Sequence, residues 1–140
     1  MKMTDLLSRA ESELCHQFSG VPLAFRCPPG LPPVTVDLPL VMKAIRHLID
    51  CSLDAPAPVE TILVQAASGI DGPIISIAAG KSVHKNRWDT SSTLPGWDTD
   101  LRVAACRRIL ELHGTTLNLG IGQEGALCFW FALPGPASES

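Results

Sequence analysis

The sequence predicts an α+β two-layer sandwich: a mixed, mainly antiparallel sheet covered on one face by three helices. Three observations predict it. Three segments carry apolar residues at spacings of three and four, with polar residues between them. Two pairs of apolar, β-prone segments are each joined by a glycine-bearing turn. Finally, 140 residues with a 46% hydrophobic fraction are enough for one core and one domain, expected over residues 1–134.

The elements follow in order. Thr4 to Gln17 reads as a helix, with Leu6, Leu7, Ala10 and Leu14 on one face; Ser19-Gly20 ends it. Val21 to Arg26 alternates as a strand. Cys27 to Pro33 holds four prolines and a glycine, which suits a rigid connector and neither a helix nor a central strand. Val34 to Val36 is expected to be a short extended piece. Asp37 is a good N-cap, and Pro39 lies in the first turn, where its missing N–H costs nothing. The stripe of the second helix is Leu40, Val41, Ala44, Ile45, Leu48 and Ile49. Glu60 to Ala66 and Ile74 to Ala79 form a hairpin around Asp71-Gly72. Lys81 to Thr99 has no periodicity and reads as a long, lid-like loop (81–99), beyond the usual length of a connection. The third helix runs to His113, with Leu101, Ala104, Ala105, Ile109 and Leu112 expected inside, and Gly114 stops it. Thr115 to Leu119 and Ala126 to Leu133 are the last two strands. Residues 135–140 form a tail without core content.

Composition excludes several functions. The formal net charge is -3 and the pI about 5.7, which argues against a nucleic-acid binder. No apolar run approaches the roughly 20 residues of a membrane span. The N-terminus has no long apolar core, so no signal peptide is expected. The five cysteines are odd in number and widely spaced; they read as reduced thiols in a cytoplasmic protein, and no metal site is expected.

Three segments together carry a resemblance. The first is Leu31-Pro32-Pro33-Val34 with Asp37, followed by the helix from Leu40 to Ser52. The second is Ile62-Leu63-Val64 through Asp71-Gly72 to Ile75-Ser76-Ile77 and Gly80. The third is Arg107-Arg108-Ile109-Leu110-Glu111-Leu112-His113-Gly114, closing with Gly125, Phe129, Phe131, Leu133 and Pro134. In this order the chain resembles the catalytic ATP-binding domain of sensor histidine kinases, in the gyrase, Hsp90, histidine kinase and MutL superfamily with the Bergerat fold. The match covers about residues 20 to 134.

The resemblance also implies which nucleotide groups are changed. The family's magnesium-binding asparagine matches Cys51, next to Asp50, and the other asparagine of that helix matches His47. A thiol is a poor ligand for a hard ion that takes oxygen. The aspartate that accepts a bond from the adenine matches Ala78, or Ala79 with a slip of one, and of that box only Gly80 remains. The two glycines nearest the third helix match Asp100 and Arg102, and Asp100 sets a negative charge where a phosphate would sit. The resemblance therefore implies a degenerate ATP site, no cofactor and no catalytic residue. The alternative is a divergent, active kinase that uses Mg-ATP, with Lys81, Lys85, Arg87 and Arg102 as compensating phosphate contacts, phosphorylating a histidine or, in a variant, a serine of a partner in trans.

No histidine is followed by an acidic residue, so no phosphoacceptor module is expected. The chain then reads as a fragment of a longer sensor protein or as a stand-alone protein. The expected partner is a receiver domain, a histidine kinase dimerisation domain or a second copy, with no nucleic acid and no membrane contact. Trp88 and Trp97 either mark a contact surface or fold back over the pocket.

Overall fold

The computed structural model describes residues 2–18, 20, 22–53, 61–69, 72–80, 101–121 and 127–134. The loop 81–99 with Lys81, Lys85, Arg87, Trp88 and Trp97, together with Asp100, Asp71, the turn at 122–126 and the tail, lies outside the described residues.

The element order is α1 (Met3–Gln17), β1 (Leu23–Arg26), α2 (Leu38–Leu53), β2 (Thr61–Ala67), β3 (Ile74–Gly80), α3 (Leu101–Leu112), β4 (Asn118–Ile121) and β5 (Leu127–Ala132). The five strands form one sheet in the order β1-β2-β3-β5-β4. β1 runs parallel to β2, and every other pairing is antiparallel.

Register decides which side chains meet the helices. Val64 pairs with Ile77, and Ile77 with Phe129. Directly opposed residues share a face, so these three make one apolar row. Ile62, Ile75 and Phe131 extend the same face, and all six are 0% exposed. Against it lie Ala44, Ile45, Leu48 and Ile49 of α2 and Leu6, Ala10 and Leu14 of α1, in one continuous core. Each large side chain sealed this way contributes about 1.5–3 kcal/mol.

Local chemistry sets the helix ends. The Asp37 carboxylate accepts a bond from the Leu40 N–H at 3.3 Å, the expected N-cap of α2. At the end of α3, the Thr115 N–H donates to the Leu110 carbonyl and the Gly114 N–H to Glu111. Gly114 sits at φ +77. This is the Schellman arrangement, and it satisfies carbonyls the helix would otherwise leave open.

Three expectations need correction. Leu101 and Leu112 stand out of the fold, 83% and 63% exposed, and Ala104 is also exposed. The inward face of α3 is Val103, Cys106, Ile109 and Leu110. The helix has two apolar stripes, and the one that faces α2 is fixed by Cys106, whose Sγ lies 3.2 Å from the Ala44 carbonyl oxygen. Val34 to Val36 is not a strand; Thr35 N–H donates to the Pro134 carbonyl at 2.9 Å, and Val34 alone of the three is sealed in the core. β4 begins at Asn118 rather than Thr115, because Thr115 is used in the helix cap.

The β2–β3 hairpin turns on glycine. Gly72 has φ +130, and a Cβ there would meet the Leu133 carbonyl oxygen at 2.7 Å. Gly72→Ala is expected to destabilise the fold by about 1–3 kcal/mol, while Gly20→Ala, with open space around it, should be near neutral. Paired denaturant titrations check this; equal midpoints would contradict the assigned turn geometry.

Candidate functional site

α2 and α3 carry His47, Asp50, Cys51 and Arg102 among the positions singled out by sequence, and two hydrogen bonds fix how the two helices lie. The Asp37 N–H at the start of α2 donates to His113 Nε2 at the end of α3, at 2.9 Å. In the middle, the Cys106 thiol donates to the Ala44 carbonyl. Further along, the Arg102 guanidinium acts on His47 through its charge. The residue numbers rise along α2 as they fall along α3, so the helices are antiparallel. The C-terminal turns of α2, with His47, Asp50 and Cys51, therefore lie beside the N-terminal end of α3.

His113 ties this arrangement at its far end. Its Nε2 accepts from Asp37, so the proton is on Nδ1, which donates to the Ile109 carbonyl at 2.9 Å. His113 is thus a hydrogen-bonded bridge between the two helices.

The individual positions have distinct surroundings. Cys51 is fully buried and belongs to the apolar core. Its neighbour Ser52 is equally buried and donates Oγ–H to the Leu48 carbonyl at 2.9 Å. Asp50 is exposed. His47 is half-buried, and burial lowers its pKa from the ordinary 6.5; the positive charges of Arg46, Lys43 and Arg102 lower it further, while Asp50 acts in the opposite sense. The ring is thus held neutral at neutral pH inside a cationic surround.

Ala78 does not share the helix-facing row. It pairs with Leu63 and Cys128, and all three lie on the opposite face of the sheet and are buried. Burial pushes the Cys128 thiol up to about 12, so it is inert as a nucleophile. Position 79 is the cross-strand partner of Ile62, and Gly80 pairs with Thr61 at the strand end. The structure thus places His47 within reach of the Arg102 charge, seals Cys51 in the core, and sets Ala78 on the far side of the sheet.

Among the described residues, no group of three His, Cys, Asp or Glu is placed to hold a metal ion. No helix among them is long and apolar enough to cross a membrane.

A pH prediction follows from His47. The ring binds a proton less readily in the fold than in the unfolded chain. Stability should therefore fall as pH drops below about 6.5, because the unfolded state then gains protons first. Denaturation midpoints between neutral pH and about pH 5 should fall less steeply for His47→Gln than for the native chain. Parallel profiles would contradict the cationic, desolvated surround.

No family model and no curated protein matches the sequence. Solved structures do match. The ATP binding domain of PrrB from Mycobacterium tuberculosis has a TM-score of 0.68 at 19% identity, covering 98% of this chain and 96% of that one. The histidine kinase domain of the E. coli osmosensor EnvZ has a TM-score of 0.65 at 15% identity, covering 100% and 90%. Full-length ShkA in complex with AMPPNP has a TM-score of 0.66 at 17% identity, covering 100% of this chain and 31% of that one. The chain has the histidine kinase ATPase-like fold.

Proposed function

We propose that this domain keeps the framework of a histidine kinase ATP-binding domain without ordinary Mg-ATP chemistry, and acts as a regulatory, protein-interaction module in two-component signalling. The observation that carries the reading is Cys51. It occupies the position that the resemblance gives to the magnesium-binding asparagine, and it is sealed in the apolar core. Magnesium takes oxygen ligands in near-octahedral geometry. A thiol sealed in the core offers no oxygen ligand to such an ion.

Two further positions support it. Positions 78 and 79 are both alanine, so neither offers an acceptor to an adenine amino group, whichever way the strand is read. Asp100 stands just before α3, where its charge would oppose a phosphate at the helix start. Each lost polar contact to a ligand weakens binding by about tenfold or more, since 1.4 kcal/mol is one decade.

A second reading rests on the cations near His47. Arg46, Lys43 and Arg102 all act on that ring, and with Lys81, Lys85 and Arg87 they supply positive charge for phosphate oxygens. In that reading the domain still binds Mg-ATP and phosphorylates a partner in trans. On either reading the partner is a protein: a receiver domain, a kinase dimerisation domain or a second copy.

Calorimetric titration with ATP and ADP, with and without magnesium, separates the two. The first reading expects no heat and no thermal stabilisation up to millimolar nucleotide. Micromolar, magnesium-dependent binding would overturn it.

A further inference from the structure

The helical layer carries a groove that the nucleotide positions do not use. It runs between α1 and α2 and encloses about 430 Å³. Its floor is apolar, with Leu14, Leu38 and Met42. Leu14 and Met42 are 2% and 7% exposed, and Leu38 is half-buried. Its walls carry Arg9 from α1, and Lys43 and Arg46 from α2.

The charge of this groove runs against that of the chain. Arg9, Lys43 and Arg46 face one carboxylate, Glu13, so the groove is net positive on a chain of net charge -3. None of the three cations forms an ion pair among the described residues. Arg9 and Lys43 are exposed. The positive charge reaches beyond the groove, because Arg46 and Lys43 also lower the pKa of His47.

The spacing gives the groove a direction. Arg9 and Glu13 are one turn apart on α1, and Leu38, Met42 and Arg46 are successive turns of α2. Leu38 and Met42, one turn apart, thus lie between flanking cations. An amphipathic helix laid along such a groove would set aliphatic anchors at i, i+3 or i+4, and i+7. Its flanks would need carboxylates to match the cations.

We propose that the α1–α2 groove is a docking site for an acidic amphipathic helix of a protein partner, with leucine-type anchors on Leu38 and Met42 and carboxylates on Arg9, Lys43 and Arg46. The inference deepens the interaction-module reading by naming a surface and the chemistry of its partner. Peptide binding and nucleotide binding are measured separately, so either reading fails without the other.

The test uses the full chain and a labelled synthetic helix with leucines at the anchor spacing and glutamates on both flanks, followed by fluorescence anisotropy. Saturable binding is expected that weakens as salt is raised. The expected loss is about tenfold or more for Arg9→Glu combined with Arg46→Glu. A similar loss is expected for a peptide whose leucines are replaced by serine. Circular dichroism of the double variant should match the native chain, since the Arg9 and Arg46 side chains are not buried. No binding, or binding indifferent to the charge reversal, would overturn the proposal. So would binding of a single-stranded RNA or an anionic lipid vesicle in place of the peptide, because those need charge alone and not the leucine anchors.

Discussion

The structure depends on α2 being held between the sheet and α3. On one side its aliphatic face seals the row of Ile77, Phe129 and their neighbours. On the other its Ala44 carbonyl receives the Cys106 thiol, and its first backbone N–H region is held by His113. A helix with buried contacts on two sides has little freedom to rotate, so everything it carries is fixed with it. Cys51 and Ser52 are turned into the interior, and Lys43 and Asp50 outward. The interior side of the last two turns therefore carries Leu48, Ile49, Cys51 and Ser52, all fully buried. Ser52 donates its hydroxyl proton to the Leu48 carbonyl.

Much of this was legible in the sequence. The stripes of α1 and α2 are buried except for the half-buried Leu40, because each helix turns one face to the core and the 3.6 period records that directly; Met3, Met42, Cys51 and Ser52 are buried beyond them. The β2–β3 and β4–β5 hairpins were marked by their turns. What was not legible came from contacts distant in sequence. α3 has leucines on the side that faces solvent, and only the close approach to Ala44 explains why Val103 and Cys106 turn inward. The parallel pairing of β1 with β2 joins residues such as Leu23 and Ile62, and no local pattern encodes that. At the site, the motif alignment could set Ala78 at the adenine position, but a one-residue step changes the face of a strand. Register puts Ala78 with Leu63 and Cys128, away from the helices.

Charge on the helical layer forms a second theme. The chain is acidic overall, yet Arg9, Lys43, Arg46 and Arg102 all belong to the helices. Three of them act on His47, whose proton affinity is lowered as a result. The cations gathered along the α1–α2 groove, Arg9, Lys43 and Arg46, attract acidic partners and disfavour basic ones. Of the positions matched to nucleotide ligands, Cys51 is sealed in the core and Ala78 lies on the far face of the sheet, while His47 is half-buried at the surface of α2.

The most direct test is residue-resolved. Two-dimensional amide NMR of the native chain, titrated with Mg-ADP to millimolar concentration, reports on α2 and β3 separately from the rest. The account predicts that the amides of His47 to Leu53 and Ala78 to Gly80 keep their positions. Saturating, magnesium-dependent shifts at Cys51 and its neighbours would contradict it, and would show that the core around α2 opens to a nucleotide.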